Sequence, residues 1–291
     1  MARIAHLSDI HFGAHDPRIV SATEAWLENR RPDLVIISGD LTQRARAEQF
    51  RAASAWLNRL RAAGLRTLVI PGNHDIPLYD IVRRFAAPLA RYQRYIANEL
   101  CPWFENDRVA VLGINTARSL TIKDGRINRR QIDLMKRRFD AVEPHKTRIL
   151  VTHHPLFAMP IGEGGELSEA VGRHGDAVKA VCEAGVHIAL AGHFHRTYAE
   201  AARKMVANAG SALVIQAGTA TSTRLRNDEP QSFNWIHAHL NSDVTLQVMV
   251  WDGNSFQGGD DVRYIRLGED WTSSVLGPAP HPVKAGELAA R

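Results

Sequence analysis

No stretch of this chain combines the length and apolarity of a bilayer span, which takes about 20 residues; its apolar runs are strand-sized. Cysteine is scarce. Cys101 and Cys182 stand far apart without a Cys-x-x-Cys pattern, which argues against a disulfide framework and a thiolate metal site. Any metal would have to be held by His, Asp and Asn. Aromatics make up only 7% of the chain, and the basic residues are scattered over helical patterns such as Arg83-Arg84 and Lys136-Arg137-Arg138. A dense basic stripe interleaved with aromatics is missing, which disfavours a nucleic-acid groove. A secretory leader, with its basic start and apolar core, is not expected either. The first strand, Arg3–Leu7, begins almost at once, so the expected location is cytoplasmic and the expected partners exclude a membrane.

What is present is enough for a sizeable core: 291 residues, 45% of them hydrophobic. The balance of 36 Lys+Arg against 31 Asp+Glu gives +5, mildly compatible with an anionic substrate. Through the first two hundred residues, apolar runs alternate with helical patterns. Strands are expected at Arg3–Ser8, Leu34–Ile37, Thr67–Ile70, Val109–Ile114, Arg148–Thr152 and His187–Ala191. Between them, helices are expected over Pro17–Arg30, Ala45–Ala63, Leu78–Trp103 (broken at Pro88), Asn128–Phe139 and Asp176–Ala184. This rhythm points to an α/β fold with a largely parallel central sheet. After Gly192, Ala212–Ala217, Phe233–Leu240 and Val244–Trp251 read as antiparallel strands closing a second sheet. Residues 1–276 are expected to form one domain and 277–291 a poorly ordered tail. Pro155–Gly175 and Gly218–Gln231 are candidate substrate-side loops.

Five of the strand ends carry metal-binding or proton-moving side chains. They are Asp9-Ile-His11, Gly39-Asp40, Gly72-Asn73-His74-Asp75, His153-His154-Pro155 and Gly192-His193-Phe194-His195. In α/β sheets ligands collect at the carboxyl ends of strands, so all five can converge on one edge. Asp, His and Asn without cysteine suit divalent ions such as Mn, Fe or Zn. Seven ligands exceed the needs of one ion and fit two that share a bridging carboxylate.

In this order the motifs resemble the calcineurin-like metallophosphoesterase superfamily: Asp-x-His, Gly-Asp, Gly-Asn-His-Asp/Glu, His and Gly-His-x-His, spanning Asp9 to His195. The resemblance implies a two-sheet α/β/β/α sandwich, mixed sheets with flanking helices, around a dinuclear centre. By position it implies that Asp9, His11 and His195 hold one ion, that Asn73, His153 and His193 hold the other, and that Asp40 bridges. The family's ligand stands two residues before the proline, which favours His153 over its neighbour His154. After Gly39-Asp40 comes Leu41-Thr42-Gln43-Arg44, not the Asp-Arg-Gly continuation of the phosphoprotein phosphatases. The Gly-Asp-Leu-Thr form looks more like bacterial cyclic-nucleotide and glycerophosphodiester phosphodiesterases.

The expected reaction is hydrolysis of a small anionic phosphodiester, a cyclic nucleotide or similar, by a hydroxide bridging the two ions. His74 adjoins Asn73 without being an expected ligand, and is the candidate general acid. Asp75 could orient His74 or cap the next helix, His154 could touch substrate or pack beside His153, and Arg118 and Arg224 are candidate phosphate clamps. The rival readings are a phosphomonoesterase, a nucleotide pyrophosphatase or a nuclease on the same site, and a scaffold that has lost its metals. Every ligand position holds a competent side chain, which weighs against the scaffold. The sequence leaves a homo-oligomer open.

Overall fold

The computed structural model describes residues 1–120, 124–157, 174–205, 210–225, 229–239 and 243–278. In chain order come β1 (Ala2–Leu7), α1 (Pro17–Arg30), β2 (Leu34–Ile37), α2 (Ala47–Ala62), β3 (Thr67–Val69) and the short helices α3 (Ile81–Ala86) and α4 (Ala90–Tyr95). They are followed by β4 (Trp103–Glu105), β5 (Val109–Ile114), α5 (Arg129–Asp140), β6 (Thr147–Thr152), α6 (His174–Glu183) and β7 (Ile188–Ala191). The remainder is β8 (Tyr198–Ala201), α7 (Ala202–Met205), β9 (Leu213–Gln216), β10 (Ser232–Ala238), β11 (Val244–Trp251), β12 (Phe256–Leu267) and β13 (Asp270–Pro278). None of the described helices is long and apolar enough to cross a membrane.

Two mixed sheets face each other. One has the order β13-β12-β11-β10-β1-β2-β3, the other β4-β5-β6-β7-β9-β8. Strand periodicity divides the side chains between layers. Ile4, Leu34, Ile36, Val111, Ile149, Val151 and Ile188 fill the space between the sheets. Their neighbours Ala5, Leu7, Val35 and Ile37 point outward against α1 and α2, while Leu112, Ile114 and Leu150 meet α5 and α6. The result is an α/β/β/α sandwich, in which each fully buried aliphatic side chain contributes about 1.5–3 kcal/mol. The helix starts are written locally. Asp16 accepts from Arg18 N ahead of Pro17 in α1, and Asn128 forms a capping box with Gln131 in α5.

Three expectations need correction. The βαβ half does not build one central sheet: β1–β3 lie in the first and β5–β7 in the second. β9, expected among the antiparallel strands, pairs parallel with β7, whereas β10 and β11 extend the first sheet beside β1. Apolar alternation reports which faces are buried but not the partner strand, and that gap explains both errors. The long helix expected over Leu78–Trp103 is two short helices followed by strand β4, which pairs antiparallel with β5. Pro77 and Pro88 bound the first of these helices and Pro102 lies beyond the second, each removing a helical donor. Strand β13 runs through Pro278, and the rest of the expected tail lies outside the described residues.

Buried histidines make this fold sensitive to acid. Burial holds the His187 imidazole down to about 4, helped by Arg266 and Arg148, and its Nδ1 accepts from Arg148 N at 2.9 Å. His6, within β1, is lowered to about 3 by burial, with Asp9 opposing. A depressed folded pKa means that the unfolded chain binds more protons, so stability falls as pH drops from about 6.5 toward 4. For His187 the loss approaches about 3 kcal/mol. Melting temperature followed from pH 7 to pH 4.5 should decline steadily, and more gently in His187→Gln.

Candidate metal centre

All five motif turns sit at the same end of the two sheets. Ser8–His11 leaves β1, Ser38–Asp40 leaves β2, and Gly72–Asp75 follows β3. From the facing sheet, His153 and His154 follow β6, and Gly192–His195 follows β7. The first two turns are pinned together by Asp9 N donating to Gly39 O (3.2 Å) and His11 N to Asp40 O (2.9 Å). From the loop before β10, Thr219 Oγ1 donates to Asp9 O (2.8 Å) and Thr221 Oγ1 to Ile10 O (2.7 Å). These clamps hold an unusual backbone. Asp9, His11, Asp40, His193 and His195 all have positive φ, between 51° and 80°. For such residues the left-handed region costs on the order of 1–3 kcal/mol each, and here that strain concentrates at one point.

Asp9, His11, Asp40, His153 and His195 are buried, while Asn73, His74 and His193 are half-buried. His195 Nε2 lies 3.2 Å from Asp9 Oδ1 and 3.3 Å from His11 Nε2, and His11 Nε2 lies 3.8 Å from Asp40 Oδ2. On the other side, Asp40 Oδ2 is 3.3 Å from His153 Nε2, while Asn73 Oδ1 is 3.0 Å from His153 Nε2 and 3.1 Å from His193 Nδ1. Asp9–His11–His195 and Asp9–Asp40–His153 each bring potential ligand atoms within 4.8 Å of one another, as do His153–His154–His193. The structure thus brings together all seven sequence-derived ligand candidates, with Asp40 between the two halves.

Electrostatics and donor accounting fit a pair of cations. Burial alone would push the Asp9 carboxyl up, but His195 and His11 outweigh it and hold it well below the usual carboxylate range. Asp40 is likewise held down against burial by His153 and His74. Burial opposes a charge on His153, yet Asp40 pulls its pKa up to about 9. The centre thus draws positive charge inward. Asp9 Oδ1 is buried without a hydrogen-bond partner, as an atom awaiting a ligand would be. His153 Nδ1 faces Ser38 O at 2.8 Å and His195 Nδ1 faces Arg224 O at 3.3 Å. A carbonyl only accepts, so each ring donates from Nδ1 and keeps Nε2, which faces the carboxylates, for a cation or, in its absence, a proton. Residues and geometry fit two divalent ions.

The motif glycines are explained by the side chains they face. Gly39 has φ +107°, and a Cβ there would lie 2.5 Å from His153 Nδ1. At Gly72 an added Cβ would overlap the Asp40 carboxylate and backbone nitrogen. Gly39→Ala should therefore combine backbone strain with a displaced His153. The expected outcome is a loss of about 2–4 kcal/mol by denaturant unfolding and metal content below that of the wild type.

His74 stands beside this cluster. Its backbone N donates to Asp40 Oδ1 (2.8 Å), its Nδ1 donates to Gln43 O (2.9 Å), and its ring lies edge-on to His11 at 4.9 Å. A cleft lined by His11, Gln43, His74, His195, Arg224 and Leu225 opens onto them. Asp75 does neither of the things its position allowed. Its carboxylate accepts from Gly72 N, Leu41 N, Thr42 N and Thr42 Oγ1, tying the β2 and β3 turns together. Burial, with the charge of Asp40, pushes its pKa up to about 6. Arg118 turns inward onto Asn115 O, Ala117 O and Gln131 Oε1 and is no clamp. Arg224 does reach the cleft. The loop Pro155–Gly175 falls largely outside the described residues. Sequence reading missed the supports: Ser38 O, Gln43, Thr219 and Thr221. The Thr-x-Thr of residues 219–221 was visible, but its partners are more than two hundred positions away.

A family model for the calcineurin-like phosphoesterases matches residues 2–197. Over 215 residues, 67% of this chain and 74% of the relative, the chain is 25% identical to a probable cyclic nucleotide phosphodiesterase of Synechococcus. Among solved structures it is similar to a purple acid phosphatase from yellow lupin seeds, with a TM-score of 0.67 and 14% identity. That likeness covers 88% of this chain, which spans about half (52%) of the lupin enzyme's length. A dimetal phosphatase from Danio rerio gives a TM-score of 0.59 at 11% identity, covering 85% of this chain and 95% of that one. At these identities the solved structures speak for the fold.

Proposed function

We propose that this chain, which belongs to the calcineurin-like phosphoesterase family, hydrolyses a small phosphodiester, a cyclic nucleotide or a similar ester. The observation that carries the reading is the pairing of two overlapping ligand clusters with a ring, His74, that faces the same cleft without joining either. In this reading Asp9, His11 and His195 hold one ion, Asn73, His153 and His193 hold the other, and Asp40 serves both. Mn, Fe and Zn suit such a donor set. The chemistry the pair supplies when bound is neutralisation of phosphoryl charge and a water nucleophile at neutral pH.

The protein's own groups do the rest. Asp40 couples the halves, because its Oδ2 faces His153 while its Oδ1 accepts from His74 N. His74, held at Nδ1 by Gln43 O, keeps Nε2 for the leaving oxygen and gives it a proton as the ester bond breaks. Arg224 lies at the cleft mouth, where a guanidinium meets phosphate oxygens. The diester reading draws on the Leu41-Thr42 continuation after Asp40 and on the similarity to the Synechococcus relative. One catalytic domain over residues 1–276 and a cytoplasmic setting belong to the same reading; both described cysteines are free, as a reducing compartment requires.

The test compares bis(p-nitrophenyl) phosphate with p-nitrophenyl phosphate on protein loaded with Mn or Zn. Faster turnover of the diester is the expected result. A faster monoester reaction would move the chain to the phosphomonoesterases.

A further inference from the structure

One buried histidine beside the centre has no role in the reading above. His154 is 3% exposed and lies with its ring 4.6 Å from that of His193 and 4.9 Å from that of His153. The ring is caged: a Cβ at Gly125 would come within 2.5 Å of its Cγ. Its backbone N donates to Thr116 Oγ1 at 3.3 Å, and its Nδ1 lies 2.8 Å from the same oxygen. Its Nε2 is buried and has no partner.

Counting donors fixes the tautomer. Among the described residues, the Thr116 hydroxyl has no acceptor other than His154 Nδ1. The hydroxyl accepts the His154 backbone N–H, so its own proton goes to Nδ1. Nδ1 is thus an acceptor, and the ring proton must sit on Nε2. In His153 the roles are reversed: Nδ1 gives a proton to Ser38 O, and Nε2, which faces Asp40, is the nitrogen kept for a cation. Two adjacent histidines thus reach one centre with opposite roles at Nδ1, donor in His153 and acceptor in His154, and the carbonyl or hydroxyl behind each ring decides which.

A protonated ring nitrogen cannot ligate a cation. A buried N–H without an acceptor costs about 1–3 kcal/mol, and such a group calls for an acceptor that arrives with a ligand. We infer that His154 is a fixed hydrogen-bond donor to a phosphoryl oxygen of the bound substrate, with Thr116 as the positioning residue that holds its tautomer. This assignment rests on the dinuclear reading above but not on the identity of the ester.

The experiment uses zinc-loaded full-length protein labelled with ¹⁵N-histidine, with inorganic phosphate as the probe. Two-bond ¹H–¹⁵N spectra, with the His154 signals identified from their loss in His154→Gln, should show a protonated Nε2 and a bare Nδ1. Phosphate should shift that Nε2 proton. Thr116→Val should mix or reverse the tautomer, and Thr116→Ser should restore it. His154→Leu should keep two zinc ions and weaken phosphate about tenfold, the worth of one hydrogen bond to a charged oxygen, while His154→Gln recovers part of the loss. A bare Nε2, or one zinc ion lost in both variants, would make His154 a ligand and overturn the inference. Phosphate affinity unchanged in His154→Leu would leave it a packing group, with the same consequence. None of these signals depends on diester turnover, so a wrong substrate class would not disguise the result.

Discussion

His74→Ala should lower kcat toward a diester with an alkyl leaving group by about 10²–10⁴-fold, the range a general acid supplies, and leave two ions per chain. The separation follows from geometry. The His74 ring touches the cluster only through its edge contact with His11, while the link to Asp40 runs through the backbone N, which alanine retains. The loss should shrink with an activated leaving group, because p-nitrophenolate needs a proton far less than an alkoxide does. A diester with an alkyl leaving group should show the full effect. Metal analysis beside kinetics on both esters checks it: a fall in bound metal, or an equal loss on both, would remove His74 from proton transfer.

Asp40→Asn should have a different signature, with metal and activity lost together. Asp40 is buried between His153, at 3.3 Å, and His11, at 3.8 Å. Its negative charge is what draws a cation, or in its absence a proton, to His153. An amide keeps the shape and loses the charge, so one of its two faces would present N–H groups to a lone pair or a cation. Fewer than two ions per chain and turnover down by at least about 10³-fold are expected. The fold should survive, since the amide oxygen can still accept from His74 N. Two tightly held ions with full turnover in Asp40→Asn would refute the bridging assignment.

The two variants divide what the residues divide. Asn73 and His74 are neighbours in one short turn, yet one side chain points at His153 and His193 and the other at the cleft. A tight turn changes direction at each residue, so adjacent side chains can serve separate tasks.

Much of this was written in the linear order of residues. Short apolar runs ending in Gly, Asp, Asn and His fixed where the strands stop and which side chains stand at their carboxyl ends. The near absence of cysteine fixed the ligand chemistry, and Pro17, Asn128 and Pro88 marked helix boundaries, all through effects that act within a few positions. The tertiary structure decided what depends on distant partners. It split the parallel strands between two sheets, and it set β9 beside β7 rather than among the antiparallel strands. It turned Asp75 into a tie between loops and set a carbonyl, Ser38 O, behind the His153 ring and a hydroxyl, Thr116 Oγ1, behind that of His154. Strand pairing and hydrogen-bond direction depend on groups brought together from far along the chain; a local pattern names the donors and acceptors, and only folding assigns each its partner.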